Sequence, residues 1–167
     1  MSKSTNYIMN APWSELTHRM TQVRQKEKTI DLDHPEAFKN IKPCKVSHVR
    51  CDSRGNKQIA FSYKSTKIHI MTHVLSFIVH NRVKINCKDK LQVSHLCNHH
   101  WCHEPEHLIL EDSKQNQNRK NCVGKVYSDK YSDWIEVCDH IPPCLTSRKL
   151  TKTLMLTVGS PKHSVVS

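Results

Sequence analysis

The chain has 167 residues, with 26 Lys and Arg against 15 Asp and Glu and a formal net charge of +11. Such basicity favours a polyanionic partner, most simply nucleic acid. Hydrophobic residues make up only 37% and no apolar run reaches the length of a transmembrane helix, so only a modest core is expected. The start of the chain, MSKSTNYIMNAPW, lacks the apolar segment of a signal peptide. The eight cysteines are therefore expected in a reducing, intracellular compartment, with the nucleus as its natural site, and as thiolate metal ligands rather than disulfides.

In chain order, residues 1–9 are polar. A helix opens at Asn10-Ala-Pro-Trp, with Pro12 in its first turn and Trp13, Leu16, Met20 and Val23 at helical spacing. It fades near Lys28 and reads as a packing or dimerisation helix. Asp33 to Phe38 reads as a short capped turn. Cys44 and Cys51 flank a strand, KVSHVR; SRGN is a turn signal and KQIAFSYK an alternating strand. The spacing of Ile68, Met71, Leu75 and Ile78 predicts an amphipathic helix over 66–82. His69, His73 and His80, in or beside it, are assigned to packing or surface. Cys87, in a polar loop, has no partner at ligand spacing and reads as a plain thiol.

The densest chemistry lies between Ser94 and Cys122. Cys97, Cys102 and His107 form C-x4-C-x4-H, three ligands suited to tetrahedral Zn²⁺, which needs a fourth from elsewhere. Cys44 and Cys51 are the candidates. In an extended chain His95 shares a face with Cys97, so metal there would fix the backbone presenting His95. Glu111-Asp112-Ser113 reads as a cap for a polar helix carrying Asn116, Arg119 and Lys120, with Asn116 and Arg119 on one face. A strand-borne histidine opposite a helix-borne asparagine is the layout of a one-metal nuclease. Farther on, Cys138, His140 and Cys144 form C-x-H-x3-C, a second cluster that Cys122 completes across a polar insert. His99, His100 and His103 lie between ligands and are left unassigned.

SHLC-x4-C-x2-P-x-HL, then Asn116, then N-R-K-x-C resembles the His-Cys box homing endonucleases of the ββα-metal (His-Me finger) superfamily. The resemblance is dense over 94–122, resumes over 138–144, and fades to a few positions between 51 and 82. It implies that the fourth ligand of the first zinc precedes a hairpin and a helix, which favours Cys51 over Cys44. It also implies His95 as general base and an asparagine as ligand of one catalytic Mg²⁺; Asn116, six residues before the next cysteine, is favoured over Asn118. The family's transition-state arginine has no counterpart in KQIAFSYK, which offers only Lys57 and Lys64; Arg54 lies in the preceding turn, and Arg119 is the candidate for a phosphate contact.

The expected fold class is α+β: a small domain with antiparallel hairpins and a ββα-metal motif, held by two structural zinc ions. Its expected divisions are an N-terminal extension with a helix (1–43), the endonuclease domain (44–147) and a basic C-terminal arm (148–167). The expected function is Mg²⁺-dependent hydrolysis of double-stranded DNA by a homodimer, with Arg50, Arg54, Lys57 and Lys64 along a groove. The alternatives are a catalytically silent zinc-bearing DNA- or RNA-binding module and a zinc-scaffolded interaction domain.

Overall fold

The computed structural model describes residues 9–149. Helix α1 (Trp13–Arg24) buries Leu16, Met20 and Val23, the stripe its spacing predicts. The chain then turns into β1 (Glu27–Ile30), which pairs antiparallel with β2 (Cys44–Ser47), so that Ile30 lies opposite Cys44. Between them, Pro35–Ala37 forms one 3-10 turn, as expected from Asp33 to Phe38.

The expected helix over 66–82 is only half a helix. Residues Thr66–Met71 form β4, antiparallel to β3 (Gln58–Tyr63), and helix α2 begins at Thr72 and runs to Asn81. Lys64 and Ser65, at φ 45° and 60°, make the two-residue turn between the strands. Left-handed backbone at both positions matches the twist of a hairpin. Ile68 and Ile70 are buried while Lys67, His69 and Met71 face outward, a period of two that the helical spacing of Ile68, Met71 and Leu75 hides.

Strand β5 (Leu91–His95) pairs antiparallel with β6 (Leu108–Asp112), and α3 (Ser113–Arg119) follows directly. Asp112 caps α3, its carboxylate accepting from the Gln115 N–H at 2.8 Å. The polar insert between Cys122 and Cys138 is itself a hairpin, β7 (Lys125–Ser128) with β8 (Asp133–Glu136). A short β9 (Ser147–Lys149) runs parallel to β7. From residue 150 the expected arm, with Leu150, Leu154, Leu156 and Val158, lies outside the described residues.

This is an α+β fold of small hairpins, with three α-helices among the described residues. One core joins α1, α2 and the inner face of β3–β4 through Leu16, Met20, Phe61, Ile68, Leu75 and Ile78. Helix α1 thus packs within its own chain. The second core is small, and three of its buried members are Cys44, Cys97 and Cys102. Where a hydrophobic core would normally sit, sulfur converges instead. Among the described residues no helix is long and apolar enough to cross a membrane.

Candidate metal centres and catalytic cleft

Cys44, Cys97, Cys102 and His107 meet with their ligand atoms within 4.8 Å of one another, and all four are buried. Cys44 Sγ and Cys102 Sγ each lie 3.5 Å from His107 Nδ1. A tetrahedron with sulfur about 2.3 Å and nitrogen about 2.0–2.1 Å from its centre has N···S edges of about 3.5 Å. The neighbouring Cys102 and Cys97 thiols, and then burial, push the Cys44 pKa up, and Cys102 pushes Cys97 up to about 12. Cys102, accepting from both thiols, is held low. Three buried thiols at this separation cannot all ionise without a cation between them, which is the donor set of structural Zn²⁺.

The expected fourth ligand, Cys51, is not in this cluster. It is half-buried in an isolated bridge to Lys57 and lines a surface cleft with Arg50, Asp52 and His69. Cys44 takes its place because β2 is tied to the zinc loop: the His103 N–H donates to the Lys45 carbonyl at 2.8 Å. His103, one of the unassigned histidines, is also buried but bonds Glu27 through Nε2 at 3.2 Å.

The second cluster assembles as expected, from Cys122, Cys138, His140 and Cys144. Cys122 and Cys138 sulfurs are 3.5 Å apart, and His140 Nδ1 lies 3.2 Å from Cys138 Sγ and 3.7 Å from Cys144 Sγ. The insert does not separate them, because the β7–β8 hairpin returns Cys138 beside Cys122, with the Val137 N–H bonded to the Gly124 carbonyl. A Cβ on Gly124 would stand 2.1 Å from the Cys144 carbonyl oxygen, so only glycine fits. Burial pushes the Cys122 thiol up to about 12. Burial also opposes ionisation of Cys138, yet the Cys144 and His140 N–H groups and the His140 ring bring it down to about 7. This donor set likewise suits Zn²⁺.

An open cleft is lined by His95, Asn116, His73, His100, Gln92 and Lys120, among others. His95 ends β5, and its Nε2 lies 3.0 Å from the Cys102 carbonyl oxygen. A carbonyl only accepts, so Nε2 carries the proton and Nδ1 keeps the free lone pair. Burial pushes the His95 pKa below the ordinary imidazole value. His73 packs against it with ring centroids 4.6 Å apart, and burial brings His73 down to about 3. Both rings are neutral near pH 7. Asn116 Nδ2 donates to Gln92 Oε1 at 2.8 Å, which leaves the Asn116 carbonyl oxygen for a cation.

The sequence model of a family described as the zinc-binding loop region of homing endonuclease matches residues 41–155. The chain belongs to this family. No curated protein matches the chain significantly. The match to the homing-endonuclease zinc-binding family spans both clusters and the cleft, so the family's zinc-binding character and the paired Cys/His sites agree.

Arg119, expected as a phosphate contact, is instead buried and spent. Its Nε donates to both Glu111 carboxylate oxygens, at 3.0 and 2.8 Å, and its Nη1 to the Pro142 carbonyl oxygen at 2.8 Å. Among the expected DNA-contacting residues, Arg50, Arg54 and Lys64 are exposed. Lys57 is not free: its Nζ donates to the Val49 carbonyl at 3.0 Å and lies over the Trp101 ring. Of the two candidate fourth ligands the less favoured one, Cys44, is in the cluster, and His73, assigned to packing or surface, packs against His95. Cys44 had an equal claim by residue type, whereas a lone histidine before an apolar stripe carried no signal for His73.

Proposed function

We propose that the protein is a Mg²⁺-dependent endonuclease of double-stranded DNA, held in shape by two structural zinc ions. The observation that carries this reading is the pairing of His95 and Asn116 across one cleft, with His95 presenting a free Nδ1. His95 Nδ1 takes the proton of an attacking water, while the Cys102 carbonyl holds the ring in the required tautomer and orientation. Asn116 offers one carbonyl oxygen, enough for an ion that retains several waters and draws its other ligands from DNA phosphate. Mg²⁺ held by Asn116 would supply the charge stabilisation that phosphodiester hydrolysis needs.

Lys120 is the cation we assign to the scissile phosphate in place of the family's arginine. It lines the cleft beside His95 and Asn116 and has no ion-pair partner among the described residues, whereas Arg119 is neutralised by Glu111. None of Arg54, Lys57 and Lys64 lines that cleft.

DNA is read by the outward face of β3–β4, where Gln58 faces Met71, Ala60 faces His69 and Ser62 faces Lys67. A two-stranded ribbon of this kind fits the major groove, whose base edges are distinguishable. Arg50, Arg54 and Lys64 flank the ribbon as phosphate contacts, which give affinity without sequence information. Breaking both strands requires two such clefts, hence a homodimer.

The test is cleavage of a supercoiled DNA library by the zinc-loaded protein with and without added Mg²⁺, zinc content being checked in both. Discrete cuts that appear only with Mg²⁺ support the reading. Salt-sensitive binding without cuts, with the target represented, supports the catalytically silent module instead.

A further inference from the structure

Ser94, Glu111, Arg119 and Cys144 come from four separate segments and meet in one chain of contacts. Ser94 Oγ donates to Glu111 Oε1, and the same carboxylate holds Arg119 Nε. The far side of the guanidinium reaches the Pro142 carbonyl and, at 3.5 Å, Cys144 Sγ. The Arg119 and Glu111 side chains are 5% and 8% exposed, so both charges depend on each other for compensation.

Each member stands next to working chemistry. Ser94 precedes His95 on β5, Arg119 shares α3 with Asn116, and Cys144 belongs to the second metal cluster. Helix α3 has seven residues, and Arg119 is its one buried residue. A helix that short has no stability of its own, and no apolar stripe docks this one. Its placement rests on the Asp112 cap, the Asn116–Gln92 bond and the Arg119 anchor. Arginine suits the last role because its rigid fork serves a carboxylate on one side and a carbonyl and sulfur on the other.

We infer that Glu111 and Arg119 are positioning residues: they hold Asn116 against His95 and make that alignment depend on the Cys122–Cys144 metal cluster. The catalytic half of this inference rests on the nuclease reading above; the coupling of α3 to the metal cluster does not.

The test compares the full, zinc-loaded chain with Arg119→Lys and Glu111→Gln. Two quantities are read: the rate of zinc release to a colorimetric chelator, and the Mg²⁺ concentration giving half-maximal single-turnover cleavage at matched DNA occupancy. Arg119→Lys keeps the charge but loses the fork. It should bind DNA as the wild type does, release one of its zinc ions faster, and need about 10–100-fold more Mg²⁺, with the rate restored at high Mg²⁺. A lower rate with an unchanged Mg²⁺ requirement would mean that Arg119 contacts phosphate directly, and overturns the assignment. Unchanged zinc release overturns the coupling. If Arg119→Lys fails to fold, Glu111→Gln, which preserves volume and a bond to Ser94, carries the same comparison. If the wild type does not cut DNA, the nuclease reading fails and the zinc-release arm still decides the coupling.

Discussion

His95 combines two demands that a surface histidine does not meet: one nitrogen is fixed by a backbone carbonyl, and the half-buried setting of the ring disfavours its charged form. The sign of the pH effect follows. Burial lowers the pKa below about 6.5, so the base form predominates at neutrality and is lost only as pH falls through the lowered value. Single-turnover cleavage should therefore be level from pH 8 to neutrality and begin to fall only at a pH below that at which an ordinary imidazole would lose the base form. A steady fall between pH 8 and 6.5 would contradict the assignment. His73, at about 3, stays neutral throughout that range. Lys120 acts in the same cleft by charge alone. Lys120→Ala should slow cleavage about 100-fold with little change in DNA affinity, whereas a change confined to affinity would make Lys120 an ordinary phosphate anchor.

At the scale of elements, legibility tracked distance along the chain. The grouping of Cys97, Cys102 and His107, and the placing of His95 and Asn116 at one cleft, were readable because their spacing falls within one strand, one loop and one short helix. The fourth ligand was not, because choosing between Cys44 and Cys51 requires knowing which strand abuts the zinc loop, and that is settled by the His103–Lys45 contact. The same limit hid the fate of Arg119, whose partners Glu111 and Cys144 come together only in three dimensions. The strand at 66–71 was missed for a different reason, since Ile68 and Met71 also fit a helical stripe continued by Leu75 and Ile78 of α2. Metal analysis tests the correction directly. Cys44→Ser should lower zinc content to about one ion per chain or unfold the protein, while Cys51→Ser keeps both ions; the reverse pattern would restore Cys51 as ligand. Gly124→Ala should be severely destabilising, because its Cβ would collide with the backbone of Cys144. A melting temperature close to that of the wild type would refute that close approach.

For the whole molecule, the two cores are modest and one of them is built around metal-ligand sulfur. Folding and metal content are then one equilibrium, with site free energies of the order of 10 kcal/mol by analogy with zinc fingers. In the proposed mechanism zinc would serve structure alone: Cys97 lies two residues beyond His95, and Cys122 lies just beyond the helix that carries Asn116. The net charge of +11 suits a surface that must hold DNA phosphates against that cleft. Basicity points to that partner from composition alone, and the strands at 44–64 were the expected ribbon; the structure pairs β3 with β4 instead, which moves the proposed DNA-facing ribbon to 58–71.

The most direct test of the nuclease account separates binding from cutting. Wild type, His95→Ala and Asn116→Ala, each with both zinc ions, are held at equal occupancy on a cleavable DNA and followed through one turnover after Mg²⁺ is added. Both variants should bind as the wild type does, with His95→Ala slowed by about 100- to 10,000-fold, and Asn116→Ala should not reach the wild-type rate at accessible Mg²⁺. Cutting at the wild-type rate by the fully loaded His95→Ala protein would contradict the account.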